Sequence, residues 1–233
     1  MALPKLNDSP KYSITIPSTN KEVSFRPYLV KEEKVLMMAL ETEDQKSALM
    51  AIADTIEACV FEKIDTRKLT TFDVEYMFTQ IRAKSAGETA SIGIKCNSCS
   101  AINDVVIKLD DINVDVPVTE NIINLTDEVS IELRWPSYFE ITGFDTDKSP
   151  SAAAFEMAAL CIEAIMHEGE RTLATDCSNK ELMEFIESMT TEQFKSVTDY
   201  IALMPQMQHR VDFDCSKCGE ENHIDVKGLQ NFF

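Results

Sequence analysis

Two C-x-x-C pairs, Cys96-Asn97-Ser98-Cys99 and Cys215-Ser216-Lys217-Cys218, constrain this chain more than any other feature. Each pair lies between two short stretches of strand-like alternation. Residues 89–95 and 104–109 flank the first, and residues 209–214 and 223–227 flank the second. A C-x-x-C turn between strands presents two thiolates to one tetrahedral ion, so each hairpin carries half of a four-cysteine site. The gap between the pairs is far longer than the roughly 15–20 residues of an ordinary zinc ribbon. The two hairpins must therefore be brought together by the fold.

An internal repeat supplies a way to do so. Residues 12–16 and 22–26 read as a β-hairpin, followed by helices over about 30–41, 44–62 and 72–84, and then by the first C-x-x-C hairpin. The second half repeats the order. A hairpin over 122–125 and 129–134 precedes helical patterns over about 151–167, 179–189 and 192–204, and the second C-x-x-C hairpin ends the series. Thr70 with Asp73, Ser178 with Glu181, and Thr190 with Gln193 have the spacing of capping boxes. Val23-Ser24-Phe25-Arg26-Pro27-Tyr28 parallels Ile131-Glu132-Leu133-Arg134-Trp135-Pro136-Ser137-Tyr138. Ile56-Glu57-Ala58 parallels Ile162-Glu163-Ala164, and the step from Cys99 to Asn103 recurs from Cys218 to Asn222. The expectation is an α+β fold of two similar units, residues 1–111 and 112–233, related by duplication and packed with pseudo-twofold symmetry. The linker falls over about 110–120.

The expected site is one structural Zn2+ held by Cys96, Cys99, Cys215 and Cys218, with every position filled by sulfur and none left for substrate. A set of four thiolates also accepts iron. Other readings of the pairs stay open: a disulfide within each hairpin after exposure to air, or free thiols. A thioredoxin-like redox pair lacks its helix N-terminus here. His223 follows Cys218 closely, but the first hairpin has no counterpart, so His223 is left out. Cys59 and Cys161 fall on apolar helix faces as small hydrophobes, and Cys177 sits in a polar loop. An odd count of seven cysteines argues against a disulfide framework.

Charge narrows the partners. With 22 basic residues against 40 acidic ones and a net charge of -18, the chain has no basic stripe with which to neutralise phosphates or dock on an anionic membrane. Nucleic-acid binding is not expected, no apolar run approaches a membrane span, and the N-terminus lacks the apolar region of a secretory signal. No phosphate-binding glycine loop, nucleophile elbow or H-E-x-x-H motif occurs. Of the three histidines, His167 is explained by closing a predicted helix, where a cation suits the dipole. The expectation is a non-enzyme. Methionine-rich stretches and the terminal Phe232-Phe233 read as core packing or as adaptable contact surface.

Several stretches resemble a known family. They are the opening Met1-Ala2-Leu3-Pro4-Lys5-Leu6, Phe25-Arg26-Pro27-Tyr28-Leu29-Val30-Lys31-Glu32-Glu33-Lys34, Phe72-Asp73-Val74-Glu75-Tyr76, and Gln80-Ile81-Arg82-Ala83-Lys84-Ser85. They look like the baseplate hub subunits of T4-like contractile-tailed bacteriophages, most densely over the first hundred residues. The resemblance implies a structural or chaperone-like assembly protein of the tail baseplate hub. Its partners would be other hub proteins or the tape-measure protein, in the host cytoplasm during assembly or in the virion baseplate. No enzymatic residues come with the family, and the metal expectation rests on the cysteines of this sequence. Outside the resemblance, a zinc-ribbon adaptor of unrelated role and a zinc-dependent enzyme are the competing functions.

Overall fold

The computed structural model describes residues 9–42, 44–144 and 149–229 of the chain. Met1–Leu6 and Phe232-Phe233 lie outside them. The fold is α+β, and its chain separates into two compact units. The first comprises residues up to Asp115 together with those from Gln206 onward, and the second runs from Val116 to Pro205. These compact units divide the chain differently from the repeat expected to break at 111/112, because the second C-x-x-C hairpin belongs with the first.

In the first unit, β1 (Tyr12–Ile16) and β2 (Lys21–Phe25) form an antiparallel hairpin. Their alternation puts Ile14, Ile16, Val23 and Phe25 on the buried face. Next come α1 (Val30–Glu41), α2 (Gln45–Cys59) and α3 (Thr71–Ala86). The Thr70/Asp73 capping box starts α3 as expected. Asp73 is fully buried, and its carboxylate also accepts the amide and hydroxyl of Ser18, pinning the β1–β2 turn to the helix. Helix α2 stops at Cys59, short of the expected 62, because Val60 turns extended and bridges to Phe25.

Two further hairpins complete this unit: β3 (Thr89–Lys95) with β4 (Ile102–Lys108), and, from much later in the chain, the pair Gln208–Asp214 and Glu221–Lys227. One apolar cluster serves both. Ile92, Ile94 and Ile107 of the first pack with Val211 and Val226 of the second, around Leu109, Ile112 and Met207. Met207 is fully buried and accepts a hydrogen bond from Thr79 of α3, at 3.3 Å.

The second unit is a four-stranded antiparallel sheet in order β5-β6-β7-β8 with helices. The elements are β5 (Ile122–Asn124), β6 (Val129–Leu133), α4 (Tyr138–Thr142), α5 (Pro150–Cys161), β7 (Ile162–His167), β8 (Glu170–Leu173), α6 (Asn179–Glu187) and α7 (Thr191–Ala202). The capping boxes of Ser178/Glu181 and Thr190/Gln193 open α6 and α7. Ile131, Leu133, Ala158, Ile162, Ile186 and Val197 form the core. Beyond this unit, β9 (Gln208–Asp214) and β10 (Glu221–Lys227) are the pair that joins the first.

The helix expected over 151–167 ends instead at Cys161, and the rest is strand. Ile162 and Ala164 are buried by period-2 alternation against β6, and Glu168 and Gly169, both at positive φ (51° and 83°), make a two-residue hairpin turn. His167 therefore ends a strand, not a helix, and no helix dipole explains it. The pairing of Ile56 with Ile162 also fails, since one is helical and the other extended.

A better correspondence is visible inside each unit. Arg26 donates its amide to the Cys59 carbonyl and its guanidinium to Glu32, six residues on. Arg134 does the same with Cys161 and Glu140. Each glutamate also accepts a backbone amide, from Leu29 or Ser137, at the start of the following helix. Cys59 and Cys161 are both buried, and burial pushes their thiols up to about 11 and about 12. No described helix is long and apolar enough to cross a membrane.

Glu75 on α3 offers a test of the packing between α3 and the chain after β10. Burial raises its carboxyl from 4.5 to about 7, against the opposing effect of the Leu229 amide that it accepts. A carboxyl raised on folding favours the folded state fully below its unfolded value, and that advantage declines as pH climbs through about 7. Glu75→Gln is therefore expected to raise the thermal midpoint at pH 8 while changing it little at pH 5, measured by circular dichroism at both.

Candidate metal centre

Strand β3 runs directly into Cys96 and strand β9 into Cys215, so each pair begins where a ladder ends. The turns are built alike. The Cys96 amide donates to Ala101 O and the Ser100 amide to Cys96 O; the Cys215 amide donates to Glu220 O and the Gly219 amide to Cys215 O. The fifth residue of each turn has positive φ, 57° at Ser100 and 74° at Gly219. Glycine adopts that conformation freely and serine does not. In both turns the first cysteine is buried and the second is more open, with Cys218 exposed.

The fold brings all four expected cysteines together. Their sulfurs lie within 4.8 Å of one another, with Cys96 and Cys218 3.7 Å apart and Cys99 and Cys215 3.6 Å apart. Both short edges cross between the hairpins. A tetrahedron with Zn–S bonds of about 2.3 Å has edges of roughly 3.8 Å, so the cage has the right size for such an ion. His223 is not part of it. Alternation turns it to the face opposite Asn222, where Nδ1 lies 2.6 Å from Asp212 Oδ1 of the paired strand.

The sulfurs are not equivalent. The Cys218 and Lys217 amides that point at Cys215 Sγ, helped by Asn103, bring its thiol down to about 6. Amides of Cys99 and Ser98, with Asn222, lower that of Cys96. Cys218 receives the Glu220 amide, yet the crowding sulfurs of Cys99, Cys215 and Cys96 push it up to about 12. Four adjacent thiols cannot all ionise unless a cation offsets the repulsion. The outer faces around the cage carry exposed Asp104, Asp212, Asp214, Glu220 and Glu221, a setting that repels phosphate.

Two residues near the cage were not assigned a role from sequence. Asn103 and Asn222, 6% and 1% exposed, sit between the hairpins and touch the sulfurs. Their repeated offset from the second cysteine of each pair was the signal that could have marked them.

Comparison with known proteins defines the class. The chain belongs to the T4 bacteriophage base plate protein family, which matches residues 9–233. It is 23% identical over 223 residues to the baseplate hub assembly protein gp26 of Enterobacteria phage T4, covering 96% of this chain and 98% of that protein. No solved structure matches the chain.

The turn geometry carries its own test. Gly219→Ala places a side chain in a left-handed conformation and is expected to destabilise the protein by about 1 kcal/mol, with Ser100→Gly shifting stability in the opposite direction. Urea unfolding of the two variants checks both signs.

Proposed function

We propose that this protein is an assembly factor of the phage tail baseplate hub, acting by protein–protein contact and not by catalysis. The observation that carries the reading is the end-to-end match to a baseplate hub assembly protein, with almost all of both chains covered. In this reading it binds hub components, or the tape-measure protein, in the host cytoplasm and holds them in a chaperone-like way while the hub closes. The tail baseplate is the place where its work ends up. The exposed Val30, Val35, Met37 and Met38 of α1 suit such contacts, because unbranched thioethers adapt to irregular surfaces.

The same reading gives the cysteine cage a structural Zn2+ bound by Cys96, Cys99, Cys215 and Cys218. Four sulfur ligands fill a tetrahedral ion and leave no position for water or substrate, which speaks against zinc-dependent catalysis. The ion would hold the chain's two distant hairpins together. We also assign the halves, residues 1–111 and 112–233, to an internal duplication. The recurring Arg26–Glu32 and Arg134–Glu140 pairs and the like-built C-x-x-C turns support it.

Two measurements test these points. Affinity purification from infected cells should recover hub components with the protein, while mass spectrometry of purified virions should find far less than one copy per hub position. Stoichiometric presence in virions would make it a permanent component and end the transient role. Elemental analysis of protein made without added metal should give one zinc per chain. Cys96→Ser and Cys215→Ser should each lose it, and chelation should lower the thermal midpoint sharply, since structural zinc contributes roughly 10–16 kcal/mol of apparent binding free energy. Metal-free protein with an unchanged midpoint would remove the zinc assignment.

A further inference from the structure

The two buried asparagines make a reciprocal set of contacts that the cage alone does not require. Asn103, on the first hairpin, accepts the Ser216 amide and hydroxyl of the second hairpin through Oδ1, both at 2.8 Å. Its Nδ2 donates to Ala101 O of its own turn at 3.0 Å and to Cys215 Sγ across the junction at 3.6 Å. Asn222, on the second hairpin, mirrors this. Its Oδ1 accepts the Asn97 amide at 2.9 Å, and its Nδ2 donates to Glu220 O at 2.8 Å and to Cys96 Sγ at 3.6 Å.

The amide orientation is fixed by chemistry. A backbone N–H can only donate, so the oxygen must face Asn97 or Ser216, and the NH2 group is left facing carbonyl and sulfur. Each asparagine therefore spans the junction with both ends of one side chain. It sets the register of the opposite turn and takes up one acceptor direction of the buried first cysteine, leaving the rest of that sulfur to point into the cage. The carboxamide accepts through its oxygen and donates twice through its nitrogen, all without charge. Aspartate accepts but, when ionised, donates nothing.

We infer that Asn103 and Asn222 are positioning residues that assemble the four-cysteine site before metal arrives and orient the Cys215 and Cys96 thiolates for it, an inference that rests on the metal reading above. The hairpins are locked in register by neutral amides, so the ion enters a clasp that is already closed. Hydrogen bonds to the coordinating sulfurs draw charge from them, which tunes how tightly and how covalently they hold the metal.

The test uses the full chain and Co2+ alone as a spectroscopic probe. Asn103→Asp and Asn222→Asp keep the shape and the amide acceptor but remove the donor to sulfur and add negative charge. Each should weaken Co2+ binding by roughly 10–100-fold and move the thiolate-to-cobalt charge-transfer band to longer wavelength, a change that loss of stability alone would not cause. Wild-type affinity with an unmoved band in both variants would overturn the inference while leaving the four-sulfur site standing. A wild-type chain that gives no four-thiolate cobalt spectrum would overturn the metal reading and this inference together. If either variant fails to fold, amide hydrogen exchange on chelator-stripped wild-type protein decides. The Asn97 and Ser216 amides should be protected without metal, and fast exchange at both would overturn preassembly.

Discussion

The first unit depends on two hairpins that share no sheet. β3–β4 and β9–β10 are separate two-stranded ladders, and a lone two-stranded hairpin is barely stable in water. What joins them is side-chain chemistry: an apolar layer through Ile92, Ile94, Val211 and Val226 at one end, and sulfur with amide at the other. The apolar layer is forgiving in register, because branched aliphatics can slide past one another. The amide and sulfur contacts are directional, so they fix where each turn sits. Hydrophobic packing thus supplies the bulk of the attraction, and the polar end decides the alignment.

The seven cysteines sort themselves by environment. Cys59 ends α2 and Cys161 ends α5, both in apolar surroundings that disfavour their thiolates, which makes them inert packing groups. Cys177 donates to the Leu173 carbonyl at the edge of a short turn. Among the described residues, only the C-x-x-C turns aim backbone amides at sulfur, and those amides lower the thiols of Cys96 and Cys215. One residue type therefore serves two purposes in one chain, and the difference is made by what the backbone nearby does with its N–H groups.

Much of the fold was legible in the sequence where the controlling interactions are local. The capping boxes at Thr70, Ser178 and Thr190 depend on residues three apart, and the hairpins on period-2 alternation; both read directly. The segment 162–167 reads as helix because Ile162, Ile165 and Met166 continue the apolar run of α5 at helical spacing. The Glu168-Gly169 turn that diverts it lacks the Asn-Gly or Asp-Gly signature. The Arg26–Glu32 and Arg134–Glu140 pairs were invisible because a six-residue offset matches neither helix nor strand neighbours. The cysteine cluster was legible through the repeat of its motif. The asparagines' role was not, since a shared spacing says nothing of which hairpin a side chain faces.

Because the first unit is interrupted by residues 116–205, its opening segments leave the ribosome well before the strands that finish it. At ordinary rates of synthesis that is a wait of several seconds. During that interval the inner faces of β3 and β4, with Ile92, Ile94 and Ile107, lack their covering layer, while the contiguous second unit can close by itself. The nascent chain is thus left with a sticky half-finished surface until β9 and β10 arrive, and closing so wide a loop delays that step further. A unit organised this way closes only after the whole of its insertion has been made.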